Sequence, residues 1–270
     1  MTTITDVPVE EVKQRQQATW ASGDYSAVAA LIVPVAENLV DLADLRAGSR
    51  VLDVATGTGN AAIAAARLHC EVVGIDYVEA LLERGRERAA AEGLTIDLRD
   101  ADAEALPFAD SSFDAVLSVF GSMFAPDHER TAGEILRVTR PGGTIALASW
   151  APDGFLGALF RTVGRFAPPP AGLASPMLWG TAEHLESIFG PTVHWAHAAE
   201  TFTFRFPSAE AFVEYFVTHY GPTVKAVATA GEGADELTAS LIELVESWSR
   251  LENGGPVAIP AAYLASVGQV

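Results

Sequence analysis

The chain has 270 residues, long enough for one large α/β domain or a core with an added cap, and its 49% hydrophobic content can bury a substantial core. A net charge of −18, with Lys13 and Lys225 the only lysines, argues against nucleic acid or an anionic membrane as a partner, because phosphate recognition rests on clustered Lys and Arg. There is no run of about 18 uncharged apolar residues, the opening MTTITDVPVEEVKQ has no basic-then-apolar signal pattern, and Cys70 has no second cysteine to pair with, so a cytoplasmic chain without membrane contact is expected.

The first fifty residues read as helical. Val9 to Trp20 forms one segment. Tyr25 to Leu45 forms a second, interrupted by Pro34, with Leu31, Val35, Leu39, Leu42 and Leu45 on one face. Helices placed before a first strand can fold over its ligand-bearing end as a lid or pack on the sheet as an arm, and both readings stand at this point.

From residue 50 strands and helices alternate. Strands are expected at Arg50 to Ala55, Glu71 to Asp76, Leu94 to Arg99, Phe113 to Phe120 and Thr144 to Trp150. Helices are expected at Asn60 to Leu68, Val78 to Ala91 and Asp127 to Thr139, the last with Asp127 as N-cap, and Arg140 to Gly143 reads as a turn. Such alternation implies parallel, right-handed βαβ units in a sheet covered on both faces. Arg84, Arg86 and Arg88 interleave with Glu83 and Glu87, the pattern of a solvated helix face.

After Trp150 the alternation loosens. A helix at Phe155 to Phe166 leads to a Pro-rich connector at Ala167 to Pro176. A helix at Thr181 to Phe189, with Thr181 as N-cap, then precedes a long strand at Val193 to Phe206. Helices at Ala209 to His219, Thr223 to Ala230 and Ala234 to Leu251 form an inserted cap before a closing strand at Ala262 to Val267. His194 and His197 fall on opposite faces of their strand, so no metal site is expected.

The chemistry concentrates after the first strand, in VLDVATGTGNAA. Gly57 and Gly59 let the backbone turn sharply and approach a ligand, and Asp53 sits at a strand's carboxyl end, where open α/β sheets keep their ligands. Taken alone, Gly57-x-Gly59-x-x-Ala62 also fits a dinucleotide loop. Three further stretches narrow the choice: Asp76 ends the second strand in VVGIDYV, DADAEALPF (100–108) follows the third, and DAVLSVF leads through ILRVTRPGGTIAL over 114–147.

In this order the four stretches resemble the motifs of class I S-adenosylmethionine-dependent methyltransferases, nearest to the type-11 and ubiquinone/menaquinone-methyltransferase-like group, over about residues 50 to 150. The resemblance implies a doubly wound, mostly parallel seven-stranded Rossmann-like sheet with N-terminal helices and an inserted helical cap. It implies an N-terminal helical lid at 1–48, a cofactor-binding core at 49–206, a substrate cap at 207–254 and a closing strand at 255–270. The implied cofactor is S-adenosyl-L-methionine, with S-adenosyl-L-homocysteine as product.

The resemblance also implies site roles. The loop of Ala55, Thr56, Gly57 and Gly59, with Asp53, lines the methionine part of the cofactor. Asp76 accepts from the ribose hydroxyls, an arrangement a carboxylate suits. Asp102 accepts from the adenine amine, and the Ala103 N–H donates to a ring nitrogen; each of these carboxylates reads otherwise as a solvated loop residue. Tyr77 stacks on adenine or simply packs. Ser118 and Val119, ending the fourth strand, line the methyl-transfer site or belong to ordinary core.

The expected reaction is in-line displacement at a sulfonium methyl, driven by positioning and desolvation. For an oxygen acceptor that needs a base, the candidates are His219 and Tyr220 in the aromatic stretch 215–222, with His128 and Tyr25 behind them; His219 reads more readily as a capping or surface histidine. The expected partner is a small, apolar or aromatic methyl acceptor, in a monomer or homodimer. The alternative is a cofactor-binding cyclase or binding module that does not methylate.

Overall fold

The structure is a computed structural model that describes residues 9–170, 172–252 and 254–270. Residues 1–8 of the expected lid, Ala171 of the connector and Asn253 of the cap lie outside the described residues. The strands are β1 (Arg50–Val54), β2 (Glu71–Asp76), β3 (Asp97–Asp100), β4 (Phe113–Val119), β5 (Thr139–Trp150), β6 (His194–Phe206) and β7 (Val257–Gln269). They form one seven-stranded sheet in the order β3-β2-β1-β4-β5-β7-β6, the expected doubly wound arrangement. β1 to β5 are parallel, and β7 runs antiparallel to both β5 and β6. Val51, Leu52, Val116 and Ile145 are fully buried at the centre, as continuous apolar strands in a doubly covered sheet must be.

Several boundaries differ from the sequence reading. β3 begins later than expected because Leu94 is still tied to the preceding helix, donating its N–H to Ala89 O. The expected turn at Arg140 to Gly143 is absorbed into β5 as a bulge between the Phe113–Thr139 and Ala115–Thr144 pairs. The closing strand is far longer than Ala262 to Val267. Pro260 is tolerated there because only β6 pairs with that part of β7, whereas β5 pairs from Tyr263 onward.

The helices are α1 (Val9–Trp20), α2 (Tyr25–Leu31), α3 (Val33–Leu42), α4 (Asn60–Arg67), α5 (Glu79–Ala91), α6 (His128–Val138), α7 (Phe155–Phe166), α8 (Ala182–Phe189), α9 (Ala209–His219), α10 (Gly221–Ala230) and α11 (Ala234–Trp248). Asp127 caps α6 through the Arg130 N–H at 3.0 Å. Thr181 does not cap α8 with its side chain, because its hydroxyl turns back to donate to Leu178 O at 2.7 Å.

The N-terminal helices divide between the two expected arrangements. α3 packs its buried Val35, Ala36 and Leu39 against α4, β4 and β5. α1 instead crosses the carboxyl ends of the strands: Gln16 donates to Phe124 O at 3.0 Å beyond β4, and Gln17 donates to Tyr77 O beyond β2. α9, α10 and α11 pack with α7, where Phe155 meets Phe212 and Trp248 at 5.5 and 6.1 Å, so a helix read as core lies with the cap. Among the described residues no single helix is long and apolar enough to cross a membrane.

Candidate active site

A cavity of about 230 Å³ opens at the carboxyl ends of β1, β2 and β4, beneath α1 and α2. Its floor is the loop between β1 and α4. Gly57, at φ 55°, takes the left-handed conformation that favours glycine, while Ala55 and Phe120 occupy the same region without that freedom, at 53° and 57°. Each costs about 1–3 kcal/mol, and such strain is held only where neighbours over-determine it. Here the neighbour is Gly121. A Cβ on it would lie 2.5 Å from Ala55 O, so the ends of β1 and β4 meet backbone to backbone.

Asp53 and Asp76 both reach this cavity from the ends of adjacent strands. Asp53 Oδ2 accepts from Thr56 Oγ1 at 2.5 Å and from the Ala62 N–H at 2.9 Å. Burial pushes its carboxyl up to about 7 against the pull of those donors, and the Asp76 charge adds to the rise. Asp76 accepts from the Gly57 and Val78 N–H groups, each at 2.9 Å, and burial still raises it to about 6. No salt bridge reaches either carboxylate among the described residues, so both face the cavity without a direct protein counter-ion, the one lysine in the lining being held by Asp102 and Glu104. A cationic ligand would supply one.

Asp102 and Ala103 line the far wall. Asp102 Oδ1 accepts from the Glu104 N–H at 2.8 Å, and Lys13 Nζ on α1 lies 2.6 Å from both Asp102 Oδ2 and Glu104 Oε2. Tyr77 and half-buried Val119 also line the cavity.

Beyond Phe120 lies a second, smaller chamber of about 20 Å³ that shares Trp20, Tyr25, Ile32, Phe120 and Phe124 with the cavity. Its remaining walls include Trp150 from β5, Phe204 from β6, and Phe216 and Tyr220 from the cap. The left-handed backbone at Phe120 sets its ring flat on Trp150, with centroids 3.7 Å apart.

Residues 52–147 match a family described as a methyltransferase domain. The chain is 40% identical to the demethylmenaquinone methyltransferase of Thermus thermophilus, over 50% of this chain and 64% of that protein. It is 40% identical to an uncharacterized protein of Mycobacterium tuberculosis, over 90% of this chain and 92% of that one. The fold superposes on the crystal structure of a putative methyltransferase from Bacillus halodurans with TM-score 0.62 at 21% identity, covering 87% and 97% of the two chains. Residues 52–147 thus form a methyltransferase domain of the class I S-adenosylmethionine-dependent type.

In this methyltransferase domain the structure gathers Asp53, Ala55, Thr56, Gly57, Asp76, Tyr77, Asp102, Ala103 and Val119 around one cavity. Gly59 and Ser118 stand outside that lining. Gly59, at φ 82°, begins α4. Ser118 is a strut: its hydroxyl donates to Val54 O at 2.8 Å and accepts from the Ser122 N–H at 3.0 Å, which leaves Ser122 to line the cavity.

The two candidate bases separate. Tyr220 lines the aromatic chamber, but His219 lines neither space; its ring packs on Tyr215 at 4.7 Å, and its Nδ1 is sealed without a partner. His219 is therefore corrected to a packing residue at the end of α9. His128 is also remote, buried against Trp179 with Nδ1 2.9 Å from His184 Nε2, and burial lowers it to about 4. Lys13 escapes sequence reasoning, and Gly121 and Ser122 are met there only as part of the run leading from the fourth strand toward the acceptor pocket. Gly121 follows the fourth strand as Gly57 follows the first and could have been weighed the same way, whereas nothing local marks Lys13.

Proposed function

We propose that the chain transfers a methyl group from S-adenosylmethionine to a small, apolar or aromatic metabolite, and that Asp53, Asp76 and the Ala55 to Gly59 loop hold the cofactor. The observation that carries this reading is that a cavity with two carboxylates free of salt bridges adjoins a chamber walled by aromatic rings, the two sharing Trp20, Tyr25 and Phe120. The carboxylates suit a ligand bearing ammonium and sulfonium charge, and the rings suit an apolar acceptor. Asp76 would take the ribose hydroxyls, and Asp102 with the Ala103 N–H the adenine. When bound, the cofactor supplies an electrophilic methyl group.

The remaining work falls to positioning and exclusion of water. α1 spans the opening through Lys13, Gln16 and Gln17 and serves as the lid. α9 and α10 bring Phe216 and Tyr220 to the acceptor and serve as the cap. No histidine and no carboxylate lines the aromatic chamber among the described residues, so a dedicated base is not part of this reading.

The test is turnover of methyl-labelled cofactor against a panel of aromatic metabolites, alongside calorimetry. Binding of S-adenosylhomocysteine and none of NAD(H), with label appearing in an acceptor, is the expected result. Tight cofactor binding without transfer to any acceptor would favour a non-methylating role such as a cyclase.

A further inference from the structure

Tyr25 starts α2 and Tyr220 follows α9, so they reach the aromatic chamber from opposite sides, with ring centroids 6.4 Å apart. Burial raises both phenols, with the Asp76 charge adding to Tyr25 and Tyr25 adding to Tyr220, so both keep their protons. Neither hydroxyl has a hydrogen-bond partner among the described residues, in contrast with Tyr263, which meets Asn38 at 3.1 Å, and Tyr215, which donates to Ala27 O at 2.9 Å. Nor is either among the polar atoms sealed away without a partner, which are Trp179 Nε1, Trp195 Nε1, His197 Nε2 and His219 Nδ1. Half-buried Tyr25 and buried Tyr220 thus each keep a donor that no protein group engages and that a ligand in the cavity can reach.

We infer that Tyr25 and Tyr220 are acceptor-orienting residues whose hydroxyls together donate to one oxygen of a planar phenol or enol that enters as its anion. This rests on the methyltransferase reading above and narrows its substrate class. A protonated phenol pair calls for an oxygen that accepts, and two donors stabilise an oxyanion better than a neutral hydroxyl. The chamber's 20 Å³ holds about one water-sized group, so the oxygen sits there while the ring occupies the part of the cavity between Trp20, Phe120 and Phe124. An acceptor ionised in solution leaves its proton there and brings its own electron pair. This accounts for a site with no base beside the chamber. Tyr25 also faces Gly57, whose Cβ would lie 3.7 Å from its Cε1, so one side chain touches both the cofactor loop and the chamber.

The test is titration of 4-nitrophenol into the protein saturated with sinefungin, which carries an amine in place of the sulfonium methyl. Visible absorbance reports the ionisation of the bound phenol, and 4-nitroanisole, which cannot ionise, serves as the control. The wild type is expected to bind 4-nitrophenol as phenolate. Tyr25→Phe and Tyr220→Phe are each expected to weaken that binding about tenfold, the scale of one hydrogen bond to a charged group, and to leave 4-nitroanisole affinity unchanged. Binding of the neutral phenol, no binding of 4-nitrophenol by the wild type, or equal losses for both probes in the Phe variants would overturn the inference while leaving the methyltransferase reading intact. Failure to bind sinefungin and S-adenosylhomocysteine would remove both.

Discussion

Asp53 and Asp76 end adjacent strands and face one cavity, and Asp76 raises the carboxyl of Asp53. This pair sets the pH behaviour of the empty protein. Asp53 titrates near 7 when folded against an ordinary value of 3.8, so its contribution to stability is fully present below about 3.8 and is lost as the pH rises through about 7. Asp53→Asn retains an oxygen for Thr56 and Ala62. The variant is expected to be more stable than the wild type at pH 8, with the difference shrinking toward pH 4, and to bind S-adenosylhomocysteine more weakly. Thermal melts across this range, paired with calorimetry, check both effects. A variant less stable than the wild type at pH 8 would contradict the assignment.

A cationic ligand favours the ionised carboxylates and drives off the proton that Asp53, at about 7, still largely holds near neutral pH. Binding of S-adenosylmethionine at pH 6.5 should therefore release protons, and the observed binding enthalpy should vary with the ionisation enthalpy of the buffer. Asp76→Ala should weaken binding by about 1.5–3 kcal/mol, the range for hydrogen bonds to a charged group. An unchanged dissociation constant would remove Asp76 from the site.

Gly121→Ala places a methyl group 2.5 Å from Ala55 O and 2.6 Å from Ala55 Cβ, both rigid atoms. The ends of β1 and β4 must separate. The expected cost is about 1–3 kcal/mol of stability, the range for overpacking, together with loss of cofactor affinity. Gly133→Ala, inside α6 where a Cβ meets nothing within 4 Å, is the control expected to melt no lower than the wild type.

Lys13→Met removes the ammonium group that holds α1 to Asp102 and Glu104. Local opening of α1 should become easier by about 1.5–3 kcal/mol. Hydrogen exchange over residues 9–20 should accelerate while β4 and β5 keep their protection. Uniform acceleration across the chain would mean that Lys13 supports the whole fold and not this helix.

His128 works in the opposite direction to Asp53. Burial lowers it to about 4 from an ordinary 6.5, so the stability it contributes is present above 6.5 and lost as the pH falls through about 4. His128→Phe should blunt acid unfolding between those values, as read by circular dichroism.

The sequence is most legible between residues 50 and 150. Strands buried on both faces are written as unbroken apolar runs, and the Gly57 turn punctuates them. The cofactor wall follows from that regularity, because a strand's carboxyl end is a place that chain order alone can define. Lys13 is another matter. It meets Asp102 across 89 positions, and a lone lysine on a polar helix carries no mark of its partner. His219 and Tyr220 show the same limit at close range. They are neighbours in the chain, but the helix ends between them, so one faces the chamber and the other Tyr215. The full length of β7 is hidden in the sequence because Pro260 counts against a strand unless one side of that strand has no partner there.

Phe206 and Val257 are paired directly across β6 and β7, and α9, α10 and α11 all lie between them. The chain therefore leaves the sheet and returns to it at a single rung. Whatever is spliced into that gap can grow, shrink or be replaced without shifting the register of any strand. An exchange at this rung replaces the Phe216 and Tyr220 walls of the aromatic chamber and leaves Tyr25, Phe120 and Trp150 in place.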